Sequence, residues 1–306
     1  MCILSSPLPL RITVHDMSVY KCPEPYELVS LVMNILVRNP GELEDLFQRC
    51  RSLSWFICKG IARINLNLVT CTPTSASLPA LELPALEYLT ISDLRITDEL
   101  HGARFPRLPR LKEVNLINHS GRWTPFFHDD DFARGEKLTL EVSKWSNDDL
   151  ICIGRFRSIR TLVLRGMWYN NGPRWEWSSI GVELPLLEAL VLHGRVEEKI
   201  LALIEAPGLK RMQFEQNTYG RDSLFAKNLR LLVQPVEYLH LWLSPHIHAT
   251  SRVEELGELI DGAPSLIGVF VSRWMEQRLR EYKWTDATRN LRFSLILDCS
   301  KQLLEM

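Results

Sequence analysis

The string "LPALEYLTI", residues 83–91, decides the fold of this chain because it recurs along the chain in altered forms. Its apolar residues follow one template: Leu86, then Leu89 after two variable positions, then Ile91 after one more. The last two apolar residues are two apart, so in a strand both side chains lie on one face. So short a strand is not stable alone, but copies of it can stack into a parallel sheet that shares one apolar face. The template therefore predicts a repeat protein.

Seven copies of this template are clear in the sequence. Their apolar triplets are Leu86/Leu89/Ile91, Leu111/Val114/Leu116, Ile159/Leu162/Leu164, Leu187/Leu190/Leu192, Leu209/Met212/Phe214, Val236/Leu239/Leu241 and Leu266/Val269/Val271. Weaker copies are Ile61/Ile64/Leu66, Gly135/Leu138/Leu140 and a two-sided string from Asn290 with its first position at Leu291. The first positions are roughly 22 to 30 residues apart, close to the spacing of leucine-rich repeats.

Helix signals lie between several of these strands. The segment 147–156 has Ser146 or Asn147 as its capping residue. The segment 196–208 has acidic residues in its first turn, and the segment 250–264 has Thr250 or Ser251 as its capping residue. Strand and helix therefore alternate about every 25 residues. A doubly wound sheet also alternates them, but its repeats are longer and do not reuse one leucine template.

Composition excludes several classes of protein. The chain has 306 residues, is 46% hydrophobic and carries a net charge of −1, which gives no overall electrostatic reason to expect a nucleic acid or membrane partner. Its seven cysteines are scattered without a CxxC pair, and Cys152 and Cys299 lie in apolar strings, so we expect buried structural thiols in a reducing compartment. With no signal peptide and no span-length apolar helix, we expect a cytoplasmic or nuclear protein.

The strings "LPALEYLTI", "LPLLEALVL" and "VEYLHLW" resemble the irregular leucine-rich repeats of F-box proteins, especially the large fungal sets. The front of the chain also fits, with a strand at Pro7–Val14, an amphipathic helix at Glu27–Asn39 and a Trp-containing approach at residues 50–68. The resemblance implies an α/β leucine-rich-repeat solenoid, or horseshoe, with a parallel β-sheet on the concave face and helices or irregular segments on the convex face. Residues 1–60 would cap the solenoid, and residues 61–306 would form about ten irregular repeats in one continuous domain.

Two features depart from that family. The asparagine that usually follows the third apolar residue is mostly absent, so we expect an irregular solenoid. An F-box is not found either: Leu8-Pro9 could open one, but Arg11–Val14 alternates as a strand where an F-box continues into helices. The chain looks like the substrate-binding portion of such a protein without the adaptor-binding portion.

Chemical motifs do not favour an enzyme. His128 beside Asp129, Asp130 and Asp131 is better explained by a solvated turn, and His246 with His248 by a loop, because neither group has a further ligand near it in sequence. The motifs of nucleophile elbows, phosphate loops and zinc helices are absent from the sequence. We therefore predict no catalytic, metal-binding or cofactor-binding residues and no cofactor.

The variable positions beside the second and third apolar residues should face the concave surface. They are small and polar in the first copies (Asn65, Tyr88, Thr90, Asn115), include Lys137, Thr139 and Thr161 in the middle, and become aromatic and basic later. Trp, Tyr and Arg dominate binding hot spots. The predicted partner-binding residues are Arg165, His193, Arg211, Gln213, Tyr238, His240, Trp242 and Phe270 on the strands, with Trp168 and Trp175 from a loop. The alternative is that Trp242 and Phe270 pack under a neighbouring loop.

That loop is "MWYNNGPRWEW", residues 167–177, which follows the strand Leu162–Leu164 and contains the turn signal Asn170–Pro173. It lies in one of the longer steps of the repeat, where insertions map to loops. We expect at least one of Trp168, Trp175 and Trp177 to pack back onto the solenoid.

These patterns favour a non-enzymatic protein-binding solenoid resembling the substrate-recognition part of an F-box (cullin-type) ubiquitin-ligase receptor. The expected partner is a protein on the concave face, with the ligase adaptor bound only if an F-box is present upstream, and with no nucleic acid and no membrane. Two alternatives stay open: a leucine-rich-repeat scaffold or adaptor unrelated to ubiquitination, and an enzyme on a repeat scaffold with His128 or His246 in a pocket.

Overall fold

A computed structural model describes residues 10–14, 28–33, 55–58, 82–92, 107–119, 130, 133–142, 147–166, 181–194, 198–216, 232–243, 256–271, 277, 279 and 292–295. They belong to two compact units. The first holds the described residues up to Ile159, and the second holds those from Arg160 onward.

The first unit is a parallel sheet whose strands lie in chain order. Its strands are β1 (Leu10–Val14), β2 (Leu28–Met33), β3 (Trp55–Cys58), β4 (Tyr88–Ser92), β5 (Glu113–His119) and β6 (Lys137–Val142), and helix α1 (Asn147–Arg155) follows. Each strand pairs in parallel with the next. A parallel neighbour requires the chain to return to the same end of the sheet before every strand.

The second unit repeats this plan. Its elements are β7 (Thr161–Gly166), β8 (Val182–Glu183), β9 (Ala189–Gly194), α2 (Glu198–Leu203), β10 (Ile204–Glu205), β11 (Arg211–Gln216), β12 (Tyr238–Leu243), β13 (Gly268–Val271) and β14 (Arg292–Leu295), and residues 256–261 are also helical. The main sheet runs β7-β9-β11-β12-β13-β14, while β8 and β10 pair separately in parallel. The parallel sheet is thus arranged as a solenoid, as the repeat predicts.

The template residues form the core, as predicted from their spacing. In all seven clear copies the three apolar residues are buried, except Leu266, which is partly exposed. A fourth buried residue stands three positions before each triplet: Leu83, Leu108, Phe156, Leu184, Ala206, Val233 and Ala263. Six of the seven copies therefore bury four side chains, and the copy from Ala263 to Val271 buries three, which gives each short strand its share of apolar burial.

A tight turn precedes the strand in each clear copy. The N–H of the first template residue donates to the carbonyl of the fourth buried residue, as from Leu86 to Leu83 and from Leu187 to Leu184, with N···O distances of 3.0–3.2 Å across the seven copies. In five copies the residue after that acceptor is proline. Proline fixes φ near the value that the second residue of such a turn requires, so the chain is prepared locally for its entry into the sheet.

The copies are joined by a shared backbone carbonyl. In the second unit the carbonyl of Glu188 accepts the N–H groups of both Lys210 (3.0 Å) and Arg211 (2.9 Å). The same double acceptance is made in the first unit by Glu87 and Lys112, and in the second unit by Arg160, Lys210 and Glu237. Because this carbonyl always stands directly before the strand, the bond pair sets the register in which the next strand begins.

Charges of alternating sign stand at that carbonyl position. They are Glu87, Lys112 and Glu136 in the first unit and Arg160, Glu188, Lys210 and Glu237 in the second. Two neighbouring pairs form ion pairs, Lys112 Nζ to Glu87 Oε2 at 3.0 Å and Arg160 Nη1 to Glu188 Oε1 at 2.7 Å. The hydrogen bond and charge of Glu87 raise the pKa of Lys112 above its ordinary value. These exposed pairs add little stability, but they favour the correct neighbour over a copy of like charge.

The helix predicted at Glu27–Asn39 is wrong, because residues Leu28–Met33 form strand β2. Neighbouring strands on both sides, β1 and β3, supply its backbone hydrogen bonds. Apolar runs of this length suit a buried strand as well as a helix, and tertiary pairing decides between them. The first sixty residues therefore contribute three parallel strands to the sheet where a strand and a helix were expected.

Two weak copies shift in position. The neighbour of β4 is β3, with Phe56 opposite Leu89 and Cys58 opposite Ile91, so this copy precedes the predicted Ile61/Ile64/Leu66, which lies outside the described residues. At the other end Arg292 pairs with Gly268 and Phe293 with Val269. Phe293 and Leu295 therefore occupy the second and third template positions, one residue earlier than a first position at Leu291 predicts.

The predicted helices are confirmed in part. Helix α1 begins at Asn147, and the third predicted segment is helical at residues 256–261 and turns at Gly262. In the segment 196–208 the helix stops at Leu203, because Ile204–Glu205 pairs with Val182–Glu183.

Strands β7 and β9 end at a pair of glycines. Gly194 has φ of +67°, and a Cβ built on it would lie 2.5 Å from the carbonyl oxygen of Gly166. Left-handed backbone and this close approach both require glycine.

Two adjacent leucines allow a test of the register. Leu187 is fully buried and Leu186 is 48% exposed. We expect Leu187→Ala to lower the free energy of unfolding by about 2–5 kcal/mol, and Leu186→Ala to change it by less than about 0.5 kcal/mol. Urea unfolding followed by circular dichroism measures both. Equal losses, or a larger loss from Leu186→Ala, would contradict the register.

Candidate functional site

The exposed face of the second unit's sheet holds eight of the predicted partner-binding residues. Side chains alternate across a strand, so the positions between the buried template residues point away from the core. The register places Arg165 opposite His193, Arg211 opposite Tyr238, and Gln213 opposite His240, which itself faces Phe270. The eight residues on this face are Arg165, His193, Arg211, Gln213, Tyr238, His240, Trp242 and Phe270. Arg211 is exposed and the others are partly exposed.

Four of these residues form the aromatic patch: Tyr238, His240, Trp242 and Phe270. The rings of His240 and Phe270 stack with centroids 4.3 Å apart and an interplanar angle of 15°. The rings of Tyr238 and Phe270 are tilted by 37° at 6.5 Å. Such ring pairs stabilise each other beyond their buried area, so they hold the patch in one arrangement.

Gly268 lies in contact range of this patch and is the site residue that the sequence pattern missed. A Cβ at Gly268 would lie 3.4 Å from Cδ1 of Tyr238 and 3.7 Å from Cε2 of Phe270. A glycine inside a strand often marks a close approach. That signal was present in the sequence, at the strand position aligned with Tyr238.

Two polar atoms of the patch, Nδ1 of His240 and Nε1 of Trp242, are buried and have no hydrogen-bond partner among the described residues. The two residues are two apart on β12 and therefore lie on the same face. A buried polar group without a partner costs free energy, and native structures satisfy most such groups. The patch therefore carries unmet hydrogen-bonding capacity that a bound molecule could satisfy after a small movement of either ring.

The electrostatics of His240 follow from its surroundings. Burial lowers the pKa of His240 below its ordinary value of 6.5, and the positive charge of Arg211 lowers it further. The imidazole is therefore neutral near pH 7. Arg211 itself forms no ion pair within the described part of the chain, in contrast to Lys112 and Arg160.

The corresponding face of the first unit differs because its polar groups satisfy each other. Lys137 Nζ lies 3.3 Å from Glu113 Oε1, and Asn115 Nδ2 donates to Thr90 Oγ1 at 3.1 Å and to Glu113 Oε1 at 3.0 Å. Thr139, predicted to face a partner, is only 5% exposed. The contrast favours the second unit as the binding face.

The remaining predicted positions have mixed outcomes. Eight of them lie outside the described residues: Trp168, Trp175, Trp177, Asn65, His128, His246, His248 and Cys299. Cys152 is buried with a free thiol, as predicted. Within the described ranges, His, Cys, Asp and Glu side chains do not form a group of three or more able to hold a metal ion. Nor does that part of the chain contain a helix long and apolar enough to cross a membrane.

The neutral His240 leads to a prediction on pH. The unfolded chain binds a proton at His240 as the pH falls through about 6.5, whereas the folded chain binds it only at a lower pH. The stability that the neutral His240 contributes is therefore present above a pH of about 6.5. It is lost as the pH falls through the lower pKa that His240 has in the folded state. We expect the urea concentration at the midpoint of unfolding to decrease when the pH is lowered from about 7.5 to about 5.5. The decrease should be smaller in His240→Gln than in the wild type.

The matched control is Gln213→Ala, which changes the uncharged residue opposite His240 on the same face and leaves His240 in place. It should keep the wild-type dependence on pH. An identical pH dependence in His240→Gln and the wild type would contradict the assignment of a buried, neutral imidazole.

Comparison with known proteins adds no assignment. Neither a protein-family model nor a curated protein sequence matches this chain. The function of the chain is therefore inferred from the repeat and from the geometry of the exposed sheet face.

Proposed function

We propose that the chain is a non-enzymatic protein-binding solenoid whose partner docks on the exposed sheet face of the second unit. One observation carries this proposal: the aromatic patch lies beside Arg211 and holds two buried nitrogens without hydrogen-bond partners. Trp, Tyr and Arg contribute most of the binding energy in protein interfaces. The stacking of His240 on Phe270 keeps the surface arranged before a partner arrives, which lowers the entropic cost of association.

A finer proposal is that the chain is the substrate-recognition part of an F-box (cullin-type) ubiquitin-ligase receptor. It is supported by the leucine template and its resemblance to fungal F-box leucine-rich-repeat proteins. Under this proposal the partner is the protein to be ubiquitinated, the adaptor binds only a form of the protein that carries an F-box, and the site of action is the cytoplasm or the nucleus.

A leucine-rich-repeat scaffold unrelated to ubiquitination is the second candidate, and one observation favours it. Strand β2 occupies the place where the family resemblance implied an amphipathic helix, so one feature of that resemblance is lost. The enzyme alternative depends on His128 and His246, which lie outside the described residues.

Proximity labelling with the full chain as bait tests the binding face. We expect Tyr238→Ala to reduce labelling of the specific partner by about tenfold, since loss of a central aromatic residue costs roughly 1–2 kcal/mol or more. Tyr88→Ala is the matched control, because Tyr88 occupies the same template position in the first unit and is also partly exposed. It should leave labelling of the partner unchanged.

The identities of the labelled proteins then separate the two candidates. Capture of the ligase adaptor or of cullin subunits by a form of the protein with an F-box supports the receptor, and partner capture without them supports the scaffold. Equal labelling by Tyr238→Ala, Tyr88→Ala and the wild type, with all three folded by circular dichroism, would contradict the proposed face.

A further inference from the structure

We propose that the segment bound by this face is acidic, with Asp or Glu carboxylates placed against Arg211 and an apolar side chain placed against the aromatic patch. This inference rests on the proposed function and specifies the chemistry of the partner. It follows from three properties of the face: its charge, its hydrogen-bonding groups and its apolar neighbours.

The charge of the face is positive although the chain as a whole is close to neutral. Arg165 and Arg211 lie on it. Among the outward positions of β7, β9, β11, β12 and β13 whose side chains the structure describes, none is acidic. By contrast, Arg160, which directly precedes β7, forms an ion pair with Glu188, with Nη1 2.7 Å from Oε1. Arg211 is exposed and lies on this face without an acidic partner among the described residues.

The hydrogen-bonding groups of the face are mainly donors. A guanidinium carries five N–H donors and no acceptor, and an indole nitrogen is a donor only. Nε1 of Trp242 is buried with no acceptor. A carboxylate is an acceptor that can bind a guanidinium through two parallel bonds, so acidic side chains and extended backbone carbonyls complement this set.

The apolar neighbours favour a protein segment over a nucleic acid. Phe270 stacks on His240 and lies beside Tyr238, and the face also holds Val191, which is partly exposed. Nucleic acid binding depends on several cations that neutralise successive phosphates, and the described face offers few. An acidic segment that also carries an aromatic or aliphatic residue would complement the charge of Arg211 and pack against the apolar surface. Charges at interfaces are arranged in this complementary way.

A displayed library of random peptides of about twelve residues, panned on the full chain, is the test. We expect the peptides enriched on the wild type to be rich in Asp and Glu together with Phe, Leu or Trp. Synthetic copies should bind at least about tenfold more weakly to Arg211→Gln, and replacement of their acids by Asn and Gln should weaken binding similarly.

Lys210→Gln is the matched control. Lys210 directly precedes Arg211, is also exposed and carries the same charge. It lies just before the first residue of β11 and therefore outside the strand. Its loss should change peptide affinity by less than about twofold. Unfolding curves of both variants establish that each remains folded.

Other outcomes separate this inference from the proposed function. Enriched peptides without acidic bias that lose affinity in Tyr238→Ala but not in Arg211→Gln would leave the docking face standing and overturn its acidic partner. Enrichment insensitive to Tyr238→Ala and Arg211→Gln alike would overturn both proposals. Displacement of the peptides by single-stranded DNA at comparable affinity would assign phosphate recognition to Arg211 and overturn the acidic protein segment.

Discussion

The carbonyl that directly precedes a strand and accepts two N–H groups from the next copy, seen at six positions, is the constraint on which the other features depend. In the second unit it is supplied by Arg160, Glu188, Lys210 and Glu237, with N···O distances of 2.8–3.1 Å. Strands of four to seven residues cannot satisfy their backbone groups alone. Once this bond pair sets the register, the alternation of side chains assigns one face of every strand to the core.

The exposed face is the consequence of that assignment. Because the leucine template occupies only the inner face, the outer positions of β7 to β13 are free to vary from copy to copy, and successive strands place them in rows across the sheet. In the first unit those rows contain Glu113, Lys137 and Asn115, which bond to one another. In the second unit they contain a cluster of rings and Arg211, which has no acidic partner among the described residues, and this difference between equivalent positions is the basis of the proposed function.

Much of this architecture could be predicted from the sequence, because the spacing of the apolar template residues specifies which face of each strand is buried. Spacing identified the template triplets from Leu86 to Val271, which are buried except for Leu266, and the positions of the outer face, while a capping residue identified the helix at Asn147. The helix proposed at Glu27–Asn39 was wrong because six apolar or small residues fit either structure, and the pairing with β1 and β3 that decides between them is not local. Within the described residues, the buried nitrogens of His240 and Trp242 that lack a partner and the closeness of Gly268 to the rings depend on packing between strands, which spacing cannot reveal.

Hydrogen–deuterium exchange resolved to single amides tests the shared-carbonyl account most directly. The N–H groups of Ala189, Arg211 and Tyr238 donate to Arg160, Glu188 and Lys210, whereas Leu186 lies in an exposed turn. The account predicts that all three amides exchange at least about a hundredfold more slowly than that of Leu186, because they open only when neighbouring copies separate. Exchange of these amides at the rate of Leu186 in the folded protein would contradict it.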